Sequence, residues 1–170
     1  MRTILGGVFL YFCLFCQLVS GQILEGLVQL DKKSFDKILN KFDYSLVKFD
    51  VGYPTGEKHK SFGSLAVEVI ESLSSNWFLI FLVQVAGISD VFVGEVRIKD
   101  YGDKANQDLA ERFSISQDKK NLPETVLFKN QGDGTLTEMV RYGGDYSIDN
   151  LRTFLSSKTG VYIKCDGCIK

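Results

Sequence analysis

Apolar positions along the chain alternate between a spacing of two and a spacing of three to four, so strands and helices should follow one another in turn. Leu27 to Leu30 predicts a short strand, and Asp31 is placed to cap a helix carrying Phe35, Ile38 and Leu39 on one face. Ser45 to Asp50 reads as a second strand. The turn Gly52-Tyr53-Pro54-Thr55-Gly56 then leads into a helix from Glu57 to Ser72, with Phe62, Leu65, Val69 and Leu73 at helical spacing. A third strand is predicted over Val91 to Ile98, followed by a helix from Lys104 to Phe113 whose stripe is Ala105, Leu109 and Phe113. Thr125 to Lys129 and Glu138 to Tyr142 form a hairpin across the turn-rich Asn130 to Gly134, and Ser147 caps a last helix, Ile148 to Ser157. The order βαβαβαββα predicts an α/β fold. A mixed, largely parallel central sheet should be flanked by helices, with the hairpin as its antiparallel edge.

Two stretches stand outside this alternation. Residues 1–21 have the form of a secretory signal: Arg2 at the start, an almost wholly apolar run from Ile4 to Val19, and the small residues Ser20 and Gly21, after which cleavage is expected. The run is short of the roughly 20 residues that cross a bilayer, so no membrane span is expected in the mature chain, an uncleaved anchor being the alternative. Residues 76–89 (NWFLIFLVQVAGIS) are nearly all apolar and interrupt what would otherwise be a short link from Ser75 to Asp90. Three readings stand for them: an extra buried strand, an exposed hairpin, or a stretch foreign to the natural product. The last is favoured, because its removal leaves a normal helix-to-strand turn. The remaining organisation is one domain over residues 22–160 and a tail over 161–170.

Composition narrows the function. With 170 residues, 45% hydrophobic and 24% charged, the chain is globular, and its net charge of −1 offers no basic field, so nucleic acid is not an expected partner. The four cysteines form two C-x-x-C pairs, Cys13/Cys16 and Cys165/Cys168, which excludes a disulfide framework through the fold. No phosphate-cradling glycine motif follows a strand, and His59, the only histidine, has no metal-ligand cluster around it. No cofactor or metal is expected, and His59 reads as a solvated helix residue. Asp100, Asp103 and Lys104 read as a charged cap and surface loop rather than an acid/base pair.

Both prolines fall at informative places. Pro54 lies in a strand-to-helix loop at the carboxyl edge of the sheet, where open α/β folds place their sites. Pro123 precedes the fourth strand, where a cis bond would fix a tight turn. That layout is thioredoxin-like. In it, the start of the first long helix is where an oxidoreductase needs a thiolate, lowered in pKa by free N–H groups and the helix dipole. This chain has Tyr53-Pro54-Thr55-Gly56 there and no thiol. Tyr53 offers an amphipathic ring for an unfolded segment, the alternative being a partly buried structural tyrosine.

The runs Leu46 to Lys58 (LVKFDVGYPTGEK), Ile98 to Asn106 (IKDYGDKAN) and Gly160 to Ile163, with Gly167-Cys168, resemble the Windbeutel family of endoplasmic reticulum escort chaperones, redox-inactive relatives of protein disulfide isomerase. The similarity covers Gly26 to Cys168 apart from residues 76–89. It implies an endoplasmic reticulum protein that binds unfolded or secretory client proteins around Tyr53, Pro54, Thr55 and Pro123. It also implies a homodimer formed through the first strand and its turn, with Gly26 and Asp31. Thr55 stands where some relatives have a second tyrosine, and Asp31 is also a plain helix cap. Family members usually continue into a helical second domain ending in a retention signal, so this sequence reads as a fragment or shortened form. The rival function is a thiol-disulfide oxidoreductase using Cys165 and Cys168. That pair follows the last helix, where no helix N-terminus activates it, and a local disulfide, an intermolecular bridge and idle thiols all remain open.

Overall fold

The computed structural model describes residues 27–73, 91–99 and 104–163. The signal segment 1–21, Gly26, the apolar stretch 76–89, Asp100, Asp103 and the tail with Cys165 and Cys168 lie outside the described residues. The strands are β1 (Val28–Leu30), β2 (Tyr44–Val51), β3 (Val91–Ile98), β4 (Glu124–Asn130) and β5 (Leu136–Tyr142). The helices are α1 (Phe35–Leu39), α2 (Glu57–Leu73), α3 (Gln107–Arg112) and α4 (Ile148–Thr159).

The five strands form one sheet in the order β1-β3-β2-β4-β5. β3 runs parallel to both β1 and β2, while β4 is antiparallel to β2 and to β5, so the hairpin forms the antiparallel edge. Alternation along the inner strands sends side chains to two separate cores. Val47, Phe49, Val96, Val126 and Phe128 pack with Phe35 and Leu39 of α1 and Leu109 of α3 on one face. Leu46, Val91, Val93 and Leu127 pack with Phe62, Leu65 and Val69 of α2 and Leu151 and Leu155 of α4 on the other. The chain is thus a helix–sheet–helix sandwich, and six of the eight residues of β2 are buried because both faces are covered.

Local signals act as expected at most ends. At α1 the outcome differs: Asp31 Oδ1 accepts from the Ser34 N–H at 2.8 Å and Ser34 Oγ from the Asp31 N–H at 2.9 Å, so Asp31 fixes the turn ahead of the helix, whose N-cap is Ser34 with no side-chain cap bond. Ser147 accepts from the Asn150 N–H at the start of α4, and Gly160, at φ 74°, ends it. The Leu122–Pro123 bond is cis. α3 differs from its expected span. Ala105 is held in a bridge to Lys99 (Lys99 N–H to Ala105 O, 3.1 Å) and Asn106 takes a left-handed conformation at φ 60°, so helical geometry begins only at Gln107. A backbone bridge there outweighs the apolar stripe that pointed to an earlier start.

Candidate functional site

The carboxyl ends of the parallel strands carry the polar chemistry of the molecule. On the face toward α2, the alternation of β2 runs Leu46, Lys48, Asp50 and that of β3 runs Val91, Val93, Glu95, Arg97. Each strand therefore changes from apolar to charged where it approaches the Gly52–Gly56 loop. The parallel register sets Lys48 opposite Glu95 and Asp50 opposite Arg97, so opposite charges face each other across the pair.

These groups are buried and bonded. Lys48 has no exposure, and its Nζ donates to Asp50 Oδ2 at 2.9 Å and to His59 Nδ1 at 2.8 Å, with Glu95 Oε2 at 3.5 Å and the Phe62 ring centroid at 5.5 Å. Arg97 grips Glu95 Oε1 through Nε and Nη2, both at 2.7 Å. The second carboxylate oxygen of Glu95 has no hydrogen-bond partner among the described residues. Asp50 also accepts from the Val51 N–H at 2.8 Å, which ties the cluster to the start of the loop. His59 is therefore no solvated helix residue: its side chain is 20% exposed and rests on this cluster. The single spacing of helical residues hid that contact, because the partners come from two strands. Burial, then the positive charge of Lys48, hold the imidazole pKa below its ordinary value; Glu95 works in the opposite direction.

A second polar chain runs to the proline loop. Tyr146 is buried, its hydroxyl lies 2.8 Å from Thr125 Oγ1, and it donates to Pro123 O at 3.1 Å. Lys58, in the first turn of α2, stands over the Tyr146 ring at 5.6 Å. The start of α2 and the cis-proline loop are thereby joined through one tyrosine, whose phenol pKa is pushed up to about 12 by burial.

Above this platform the loop projects. Tyr53 is 76% exposed, which excludes a buried structural role, while Pro54 is half-buried and Thr55 is exposed. Tyr53 lines a cleft of about 370 Å³ at the carboxyl ends of β1 and β3, together with Asp31, Gly52, Arg97, Lys99 and Asn106. At Gly52 a Cβ would stand 3.0 Å from the Lys99 side chain, a tight fit that a small movement of that lysine would relieve. Two residues expected to serve different interfaces, Asp31 and Tyr53, thus share one cleft, and Pro123 is not among its walls. The buried charges were missed from sequence, although Lys48/Asp50 and Glu95/Arg97 at i, i+2 in strands covered on both faces were a readable signal. Among the described residues there is no cysteine and no group of three or more His, Cys, Asp or Glu that could hold a metal. No described helix is long and apolar enough to cross a membrane.

Residues 23–166 match the family described as ERp29, N-terminal domain. The chain is 37% identical over 147 residues to protein windbeutel of Drosophila melanogaster, an alignment covering 85% of this chain and 49% of that protein. The chain therefore spans about half the length of the curated relative it matches. Among solved structures, the zinc-bound form of human ERp44 superposes with a TM-score of 0.53 at 21% identity, covering 78% of this chain and 30% of that one. The J-Trx1 fragment of ERdj5 gives 0.50 at 16% identity, covering 83% and 53%. At such identities the two structures show the fold alone, and it is thioredoxin-like.

Proposed function

The chain belongs to the ERp29 N-terminal-domain family, and from that premise we propose that it is a redox-inactive chaperone domain of the endoplasmic reticulum lumen that holds unfolded or secretory client proteins on its Tyr53 loop. The observation that carries this reading is the position of Tyr53. A large aromatic ring, 76% exposed, stands at the mouth of a cleft on the strand-to-helix loop where a thioredoxin-type enzyme would carry its thiol. An aromatic ring with a hydroxyl stacks on side chains of varied sequence and makes one hydrogen bond, which suits loose, unselective holding of extended peptide. Without a thiolate at the start of α2 there is no group at this loop to form a mixed disulfide. Thr55, Pro54 and Pro123 form the remainder of the holding surface, the Pro123 loop being joined to the start of α2 through Tyr146.

Dimerisation is part of the same reading. Among the described residues β1 is an edge strand of the sheet next to Asp31, and Asp31 lines the cleft that contains Tyr53, so a second copy seated at this edge would stand beside the client surface. Sedimentation at micromolar concentration tests this, a purely monomeric profile opposing it.

Tyr53→Ala tests the client site. The variant should lose affinity for a labelled unfolded peptide with its melting temperature nearly unchanged, because the ring makes little buried contact; unaltered affinity removes Tyr53 from the site. An insulin-reduction assay with a Cys168→Ser control addresses the dithiol alternative. Turnover that depends on Cys168 would replace the holding function with an oxidoreductase.

A further inference from the structure

The groups beneath the client loop are electrically matched only while His59 is uncharged. Lys48 and Asp50 come from β2, Glu95 and Arg97 from β3, two cations against two carboxylates. The charged neighbours of His59 on α2 itself, Glu57, Lys58 and Lys60, are exposed. With the imidazole neutral, Nδ1 is an acceptor and takes the Lys48 ammonium at 2.8 Å, which leaves the proton on Nε2. The same Nδ1 stands 3.6 Å from Glu95 Oε2, a fully buried oxygen with no hydrogen-bond partner among the described residues. Two donors cannot meet at one nitrogen. A proton arriving on Nδ1 expels the Lys48 bond and creates a donor beside the one carboxylate oxygen in the cluster that lacks one.

We propose that Lys48, His59 and Glu95 form a two-position proton switch under the client loop: neutral His59 ties α2 to Lys48 and holds Tyr53 ready, and protonated His59 exchanges Lys48 for Glu95 Oε2, moves the start of α2 and releases the client. The inference rests on the client-holding reading of Tyr53. The mechanical link is short, because only Gly52 to Gly56 separate the end of β2 from α2, and the Val51 N–H is bonded to Asp50 of the same cluster. A shift of α2 against β2 is therefore taken up in the loop. These are positioning residues; the client meets Tyr53.

The folded imidazole takes its proton at lower pH than the ordinary value of 6.5. The unfolded chain thus protonates first, and the stability this group contributes is complete above that ordinary value and lost as pH falls through the lowered one. Client binding and protonation are linked reciprocally, so bound peptide lowers the midpoint of His59 further.

The single histidine makes the test direct, since one imidazole signal reports its protonation in the full chain. In an NMR titration the amides of Gly52, Tyr53 and Thr55 should move with the midpoint of that imidazole. In His59→Asn, which keeps an acceptor near the Nδ1 position but does not titrate, they should stay still over the same range. Loop amides that ignore the imidazole, or that move equally in His59→Asn, overturn the switch. In the binding arm, a fluorescent, tyrosine-containing unfolded peptide should bind the wild type about fivefold more weakly at about pH 5.5 than at about pH 7.5, with a flat ratio in His59→Asn. An equal loss in both proteins overturns it as well. If the amides follow the imidazole and no peptide binds at either pH, the client reading fails while the switch stands.

Discussion

Replacing Lys48 by methionine removes a charge while keeping most of the volume of a side chain with no exposure. The ammonium bridges Asp50 at 2.9 Å, His59 at 2.8 Å and Glu95 at 3.5 Å, so its loss leaves two buried carboxylates and an imidazole without that donor. Breaking a buried ion pair by removing one partner costs about 3–5 kcal/mol. The lower end applies here, since Glu95 retains Arg97 at 2.7 Å and Asp50 retains the Val51 N–H at 2.8 Å. A cost of about 3 kcal/mol is a large share of the roughly 5–15 kcal/mol that holds a domain folded, and corresponds to a fall in Tm of roughly 10 °C. Urea denaturation at neutral pH should show this as a lower midpoint with an unchanged slope. Adding Asp50→Asn to Lys48→Met should cost less than Asp50→Asn alone by about 1 kcal/mol or more, because the second carboxylate is no longer paired with the lysine. A Lys48→Met protein within about 1 kcal/mol of the wild type, or a double mutant whose effects simply add, would show that the cluster is not a coupled buried unit.

Two further substitutions probe how the platform is tied together. Tyr146→Phe leaves Thr125 Oγ1 and Pro123 O without their shared partner and should cost about 1–2 kcal/mol in the same urea assay; the wild type, but not this variant, should show a phenol that ionises only near pH 12. Arg152 reaches from α4 to Glu68 of α2 with a two-pronged grip at 2.9 and 2.8 Å, and both side chains are mostly shielded. Arg152→Ala should therefore cost about 2 kcal/mol, with Arg152→Lys recovering only part because an ammonium cannot make both bonds.

The elements of this fold were legible because their signals are local. The Ser147 cap, the alternation in β2 and β3 and the apolar spacing of Phe62, Leu65 and Val69 each act within a few residues, and each is realised in the structure. α3 failed the same logic only where a bridge between Lys99 and Ala105 held the backbone out of helical shape. The loop residues Tyr53, Pro54 and Thr55 were legible for a similar reason, as the turn between a strand and a helix is written in consecutive residues.

The chain by itself thus determined the order of its elements, the absence of a thiol at the start of α2 and its family. Tertiary structure alone decided what those features stand on. Lys48 meets Glu95 only because β2 and β3 pair in parallel at one register, and a shift of one strand by one residue would put the two charges on opposite faces of the sheet. His59 becomes their partner only because α2 packs across that face, and Asp31 shares a cleft with Tyr53 only because β1 pairs with β3. Apart from Lys48 and His59, which are 11 residues apart, such contacts join positions tens of residues apart, and spacing along a chain carries no information about which of two distant strands will lie side by side.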